Sequence, residues 1–141
     1  MNIVERGGIW RGCIPASESS LQDLRKGAPA GLPDTYFMLL RFSNGGEGDL
    51  GIEPGWFCPW PAEEVLKLNL DYEIADNMPG LFGFGSNGAG ELIAFDLRQG
   101  PPWQVVMAPF IGMEPATVIR LATDFDEFLS WVGVPISADG M

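Results

Sequence analysis

Residues 81–96 read Leu81-Phe82-Gly83-Phe84-Gly85-Ser86-Asn87-Gly88-Ala89-Gly90-Glu91-Leu92-Ile93-Ala94-Phe95-Asp96. Gly83, Gly85 and Gly88 satisfy the G-x-G-x-x-G spacing of a dinucleotide-binding loop. Such a loop needs a strand before it and a helix after it, because the pyrophosphate rests on the helix N-terminus. Beyond Gly88 the chain runs instead into Glu91-Leu92-Ile93-Ala94-Phe95-Asp96, a short apolar run bounded by turn residues, which is a strand pattern. A kinase-type glycine loop also lies between two strands, but its chemistry needs a strand lysine and histidine-bearing and acidic motifs. This chain has no histidine, and its only lysines are Lys26 and Lys67. The stretch therefore reads as a β-hairpin turning at Asn87-Gly88, with glycines where positive φ or close backbone approach is needed.

The neighbouring segments alternate between helical and extended patterns. Pro15–Lys26 predicts a helix capped by serines at its start, with Arg25 and Lys26 complementing its C-terminal dipole and Gly27 ending it. A second helix is expected from Pro33, placed at the first helical position, to Asn44. Leu32, Tyr36, Leu39, Leu40 and Ser43 share one of its faces and Phe37, Met38 and Phe42 lie beside it, so it reads as an all-round apolar core helix stopped by Asn44-Gly45-Gly46. Pro54-Gly55 predicts a turn between short strands at Ile52 and Trp56-Phe57. Pro61 opens a third helix over residues 62–69, with Glu63 spaced to pair with Lys67. Residues 71–80 carry no clear period and are expected to be irregular and exposed. Beyond the hairpin, Gln104–Ala108 reads as a strand, and residues 123–133 read as a helix capped by Thr123 or Asp124. The order predicts an α+β fold: a single domain over residues 1–141, with a largely antiparallel sheet and about four helices against it.

Composition narrows the function. The 141 residues are 46% hydrophobic and 19% charged, which suits one globular domain with a single core. Eight basic residues against 19 acidic give a formal charge of -11, which argues against nucleic acid as a partner. No apolar run is long enough for a membrane span, and the first residues lack a signal-peptide core, so a cytoplasmic location is expected. Cys13 and Cys58 have no metal-site spacing and are expected to be free, partly buried thiols.

Without histidine, Ser–His and Cys–His nucleophilic pairs are excluded. Three carboxylate pairs exist: Asp71 with Glu73, Asp124 with Asp126, and Glu47 with Asp49. Two carboxylates flanking a cleft can run hydrolase chemistry. Asp124 and Asp126 are better read as helix-start residues, and Glu47 and Asp49 as turn residues. No oxygen-ligand cluster calls for a metal, and no motif calls for a cofactor. Trp56 and Trp60 flank Pro59, where an exposed indole would suit an apolar anchor for a protein partner.

Three segments in order resemble the SUKH superfamily, which includes the Smi/Knr-type cell-wall assembly regulators. They are Leu32-Pro33-Asp34-Thr35-Tyr36 running to Asn44-Gly45-Gly46, the glycine hairpin ending in Ala94-Phe95-Asp96-Leu97-Arg98, and the last helix with Ala122, Phe125, Phe128 and Leu129. The short N-terminal region and Pro109-Phe110-Ile111, in place of a more polar loop, depart from the pattern. Leu32, Pro33, Tyr36, Asn44, Gly45, Gly46, Phe95, Asp96, Phe125 and Phe128 read as residues that determine the fold. The resemblance implies a non-enzymatic binding protein. Bacterial members are typically immunity proteins that bind and neutralise toxins, many of them basic nucleases, and an acidic chain complements such a partner. The alternatives are a regulatory scaffold in envelope biogenesis, as in the fungal relatives, and more remotely a carboxylate-pair hydrolase. Fungal regulators usually carry long disordered flanks, and a chain expected to be a bare domain tilts the reading toward the immunity role. Residues between Lys67 and Arg98 include no base but hold Asp71, Glu73, Asp76 and Glu91, so this segment is the expected partner face, with Trp56 or Trp60 as anchor.

Overall fold

The computed structural model describes residues 1–137. In chain order it forms β1 (Trp10–Arg11), α1 (Glu18–Gly27), α2 (Asp34–Phe42), β2 (Glu47–Asp49), β3 (Trp56–Pro59), α3 (Ala62–Asp71), α4 (Ile74–Asn77), β4 (Leu81–Ser86), β5 (Glu91–Asp96), β6 (Gln104–Pro109), β7 (Ile119–Ala122) and α5 (Phe125–Ser130), with 3-10 turns at Ile3–Glu5 and Pro115–Thr117. The seven strands form one sheet in sequential order, and every pairing is antiparallel. The α+β architecture is the expected one.

The hairpin of residues 81–96 is its centre, and its glycines have separate physical reasons. Gly88 turns the chain at φ +76, a conformation glycine adopts without cost. Gly83 and Gly85 bracket a β-bulge at Phe84. A Cβ on Gly83 would lie 2.8 Å from Leu92 and 2.9 Å from Ile74, and one on Gly85 only 2.7 Å from the Cys58 carbonyl. The motif thus serves close packing rather than phosphate binding. Asn87 orders the turn, its Oδ1 accepting from the amides of Ala89 (3.0 Å) and Glu91 (3.1 Å).

Both faces of the central strands are covered. β5 is buried from Leu92 to Phe95, which explains why that run is uniformly apolar rather than alternating. On one face Phe84 and Phe95 meet Tyr36 of α2 and Phe125 of α5 at 5.5–5.7 Å between ring centroids. Phe128 of α5 packs edge-on against Phe57 of β3 at 4.9 Å. On the other face Trp60 and Ile74 lie over Gly83 and Leu92. Tyr36 is fully buried, edge-to-face with Phe37, Phe84, Phe95 and Phe125, and its hydroxyl has no hydrogen-bond partner. Burial pushes the phenol pKa well above its ordinary value.

Several local expectations are corrected. α1 starts at Glu18, with the Ser17 hydroxyl accepting from the Ser20 amide, rather than at Pro15. Pro33 and Pro61 are N-caps, one position outside their helices, because both sit in extended backbone at ψ 145 and 148. α2 is not apolar on all sides in its packing: Met38 is 49% exposed. It ends at Phe42, and Asn44 has a further role. The Asn44 Oδ1 accepts from the Ala62 amide at 2.7 Å and its Nδ2 donates to Glu63 at 2.8 Å, so this side chain caps α3 in place of Pro61, which offers no cap. Glu63 is therefore committed to Ser20 and Asn44, whose hydrogen bonds hold its carboxyl below the usual range, and Lys67 pairs with Asp71 instead. Glu47 and Asp49 lie in β2 rather than in a turn, and Ile52 lies in the loop between β2 and β3. Residues 71–80 are not wholly irregular, because Ile74 and Met78 are buried and α4 forms around them. Cys13 is exposed, whereas Cys58 is half-buried and its thiol pKa is raised by desolvation.

Truncating the aromatic junction should be costly, but removing its unpartnered hydroxyl should not. Tyr36→Ala is expected to lose about 3–5 kcal/mol, while Tyr36→Phe should match or exceed the native stability by up to about 1 kcal/mol. Urea unfolding of the two variants measures both, and a large loss in Tyr36→Phe would show that the hydroxyl has a partner.

Candidate functional site

The site begins where a sheet edge runs out of strand. β3 pairs with β4 only at Cys58↔Ser86 and Pro59↔Gly85, so the rest of the β4 edge has no neighbouring strand. α3 lies along it and closes it with one side chain. The Asn69 Oδ1 accepts from the Gly83 amide at 2.8 Å, and its Nδ2 donates to the carbonyls of Gly83 (2.9 Å) and Val65 (2.8 Å). An amide is suited to this because it offers the donor and the acceptor that a paired strand would have supplied.

Clamping Asn69 inward forces the last turn of α3 outward. Leu70 is 78% exposed and Tyr72 is 43% exposed. Tyr72 stacks over the buried Trp60 at 6.2 Å and against Phe110 at 4.5 Å, so its ring is held in place while one side faces solvent. The chain then reverses into α4 through Glu73, the one non-glycine with positive φ (53) among the described residues. On the α1 side of this corner lies an apolar groove of about 540 Å³, lined by Gly27, Ala28, Leu66, Leu70, Ala75 and Phe82, among others.

The residues expected at a partner face divide among three places. Asp71, Glu73 and Asp76 gather at the α3–α4 corner and are exposed. Asp71 is paired with Lys67. Glu91 is partly occupied by the hairpin turn, accepting from Asn87 at 3.0 Å, but its neighbour Gly90 accepts from the amide of Phe110, the residue against which Tyr72 packs. Trp56 belongs elsewhere: Arg11 lies over its ring at 5.8 Å and the Gly88 turn lies beside it. Trp60, only 8% exposed, is not an exposed anchor. It is buried because it comes directly after β3 and under Tyr72, and Tyr72 takes the exposed place. Leu70 and Tyr72 carry no motif that marks them in the sequence. Continuing the helical period of Leu66 past Asn69 would have placed Leu70 on the open side of α3.

The carboxylate pairs are largely engaged in structure. Asp124 caps α5, accepting from the Glu127 amide at 2.8 Å, while Asp126 accepts from the Thr35 hydroxyl at 2.7 Å. The cleft beside them holds about 80 Å³, against the roughly 300–1,000 Å³ typical of small-molecule sites. Glu47 pairs with Arg11, and Asp49 accepts from the Ile9 amide. Asp96 is bound bidentately by Arg98, whose hydrogen bonds hold its carboxyl below the usual value. This contribution to stability is present above about pH 4 and fades as the pH falls through the lowered pKa.

A single antiparallel sheet with an aromatic seam, helices over both faces and an open α3–α4 corner make this an α+β domain. Residues 15–131 match the SMI1 / KNR4 family (SUKH-1), and the chain belongs to that family. No match is found among curated proteins. No helix among the described residues is long and apolar enough to cross a membrane.

The corner stores strain at Glu73. Replacing it with glycine, which accepts positive φ freely, should stabilise the fold by up to about 1 kcal/mol in urea or thermal unfolding. A loss of stability would mean that the Glu73 side chain itself holds the corner together.

Proposed function

We propose that this chain is a non-enzymatic binding protein, a bacterial immunity protein that acts in the cytoplasm by capturing a positively charged toxin domain. The observation that carries this reading is the charge left after internal pairing. The five ion pairs among the described residues use five of the eight cations, namely Arg11, Arg25, Arg41, Lys67 and Arg98, but only five of the nineteen acids. Arg6 is also spent, its guanidinium donating to the carbonyls of Leu129 (2.6 Å) and Val132 (2.8 Å). The surface offered to a partner is thus strongly acidic, which steers and orients a basic protein. Family membership supports a role in protein binding. The α3–α4 corner is the favoured contact, because Asp71, Glu73 and Asp76 there surround a fixed, half-exposed tyrosine. Tyrosines held in this way are common anchors at interfaces.

The test is growth rescue and affinity. Co-expression with a basic toxin domain from the same source should restore growth, and the two proteins should co-purify in equal amounts. Asp71→Lys, Glu73→Lys and Asp76→Lys together should weaken that binding at least about tenfold and flatten its salt dependence. Unchanged affinity would remove the corner as the contact. Retention of envelope-synthesis proteins instead would favour the regulatory scaffold.

A further inference from the structure

The groove beside the corner has a lining that the fold itself does not use. Leu66, Ala75 and Phe82 present apolar surface to it, and Leu70 projects at its edge with 78% of its surface in water. An exposed leucine on a helix clamped by Asn69 cannot turn inward to shed that exposure, because the clamp fixes the rotation of α3. At about 540 Å³ the groove is large enough for two or three side chains of a ligand.

Its occupant can be argued from charge. A second copy of this chain would also carry -11, and two such surfaces repel, so self-association through this groove is disfavoured. Carboxylates come directly after groove residues: Asp71 after Leu70, and Asp76 after Ala75, with Glu73 at the turn between. The cations near the groove are Lys67, already paired with Asp71, Arg98, which packs against Gly80 beside Leu81 and is paired with Asp96, and Lys26, next to Gly27 at the end of α1. An apolar floor with an acidic rim on the α3–α4 side complements a segment that is apolar on one face and basic on its flanks. We infer that this groove receives such a segment from a positively charged partner protein, with Leu70 as the apolar contact and Asp71, Glu73 and Asp76 meeting the flanking cations. The inference rests on the binding-protein reading and assigns the part of the surface that makes the apolar contact.

The probe is a synthetic 18-residue amphipathic helix with leucines on one face and lysines on the other, added to the labelled full chain and followed by amide chemical shifts. Shifts should concentrate at residues 27–29, 66–70 and 75–82. A peptide of the same composition in scrambled order should bind at least about tenfold more weakly, and so should the native peptide on Leu70→Ser or Ala75→Arg. Both positions are exposed, so these variants should stay folded. Lys26→Glu should tighten binding. Shifts spread evenly over the acidic surface, equal binding of the scrambled peptide, or no effect of the two groove variants would each overturn the inference. So would a dimer in sedimentation that Ala75→Arg abolishes, since the occupant would then be a second copy. The two readings fail separately. A toxin that binds Leu70→Ser and Ala75→Arg with native affinity removes the groove but keeps the immunity role, whereas peptide binding in the groove without any toxin rescue keeps the groove and removes that role.

Discussion

The edge-to-face packing of Tyr36 is the contact on which the other elements depend. Its ring meets four phenylalanines that come from α2 itself, from β4 and β5, and from α5. Each aromatic pair of this geometry contributes about 0.5–1.5 kcal/mol beyond the area it buries. Phe84 extends the seam to Phe57 and Phe128, so β3 and the last helix join the same cluster. The bulge at Phe84 belongs to this arrangement: it sits between two glycines, Gly83 and Gly85, whose missing side chains let Trp60, Ile74 and β3 approach the strand.

The same strand creates the candidate surface. β4 extends past the end of β3, and an unpaired edge invites further pairing. Asn69 satisfies that edge at Gly83 with a side-chain amide, so α3 rather than another strand occupies the position. Once α3 is fixed there, its last turn must project beyond the sheet. Leu70 and Tyr72 become exposed, and the chain can return to β4 only through a tight reversal, which places Glu73 in a left-handed conformation. Exposed apolar surface and backbone strain thus arise together at this corner, where the sequence also places Asp71, Glu73 and Asp76.

Electrostatics and packing act on different parts of the molecule. Most of the cations are consumed within the fold, several at helix ends or across elements, such as Arg41 with Glu18 and Arg25 over the Phe37 ring. Of the acids outside those ion pairs, Asp49, Glu63, Glu91, Asp124, Asp126 and Glu127 accept hydrogen bonds within the fold, but no cation offsets their charge. The residues that carry the family resemblance in the sequence, by contrast, are mostly interior: Tyr36, Phe95, Phe125 and Phe128 are buried in the seam, and Asn44 caps α3. The choice of partner lies in the surface around them.

Much of the architecture was legible in the residue order. The hairpin, the four longer helices, the antiparallel class and the acidic character come from period, turn chemistry and charge, all of which are local or additive. What could not be read locally required a partner distant in the chain. β1 and β7 are only two and four residues long, too short to read as strands until β2 and β6 pair with them. α4 is a single turn that forms because Ile74 and Met78 are buried. Asn44 looks like a helix stop, yet it caps a helix that begins eighteen positions later. Trp60 is buried for the same reason, under Tyr72, which keeps the exposure expected of residues 71–80. The sequence shows aromatic residues beside the acidic segment, but which of them reaches solvent depends on the stacking order of Trp60 and Tyr72 over the sheet, and only the tertiary packing sets that order.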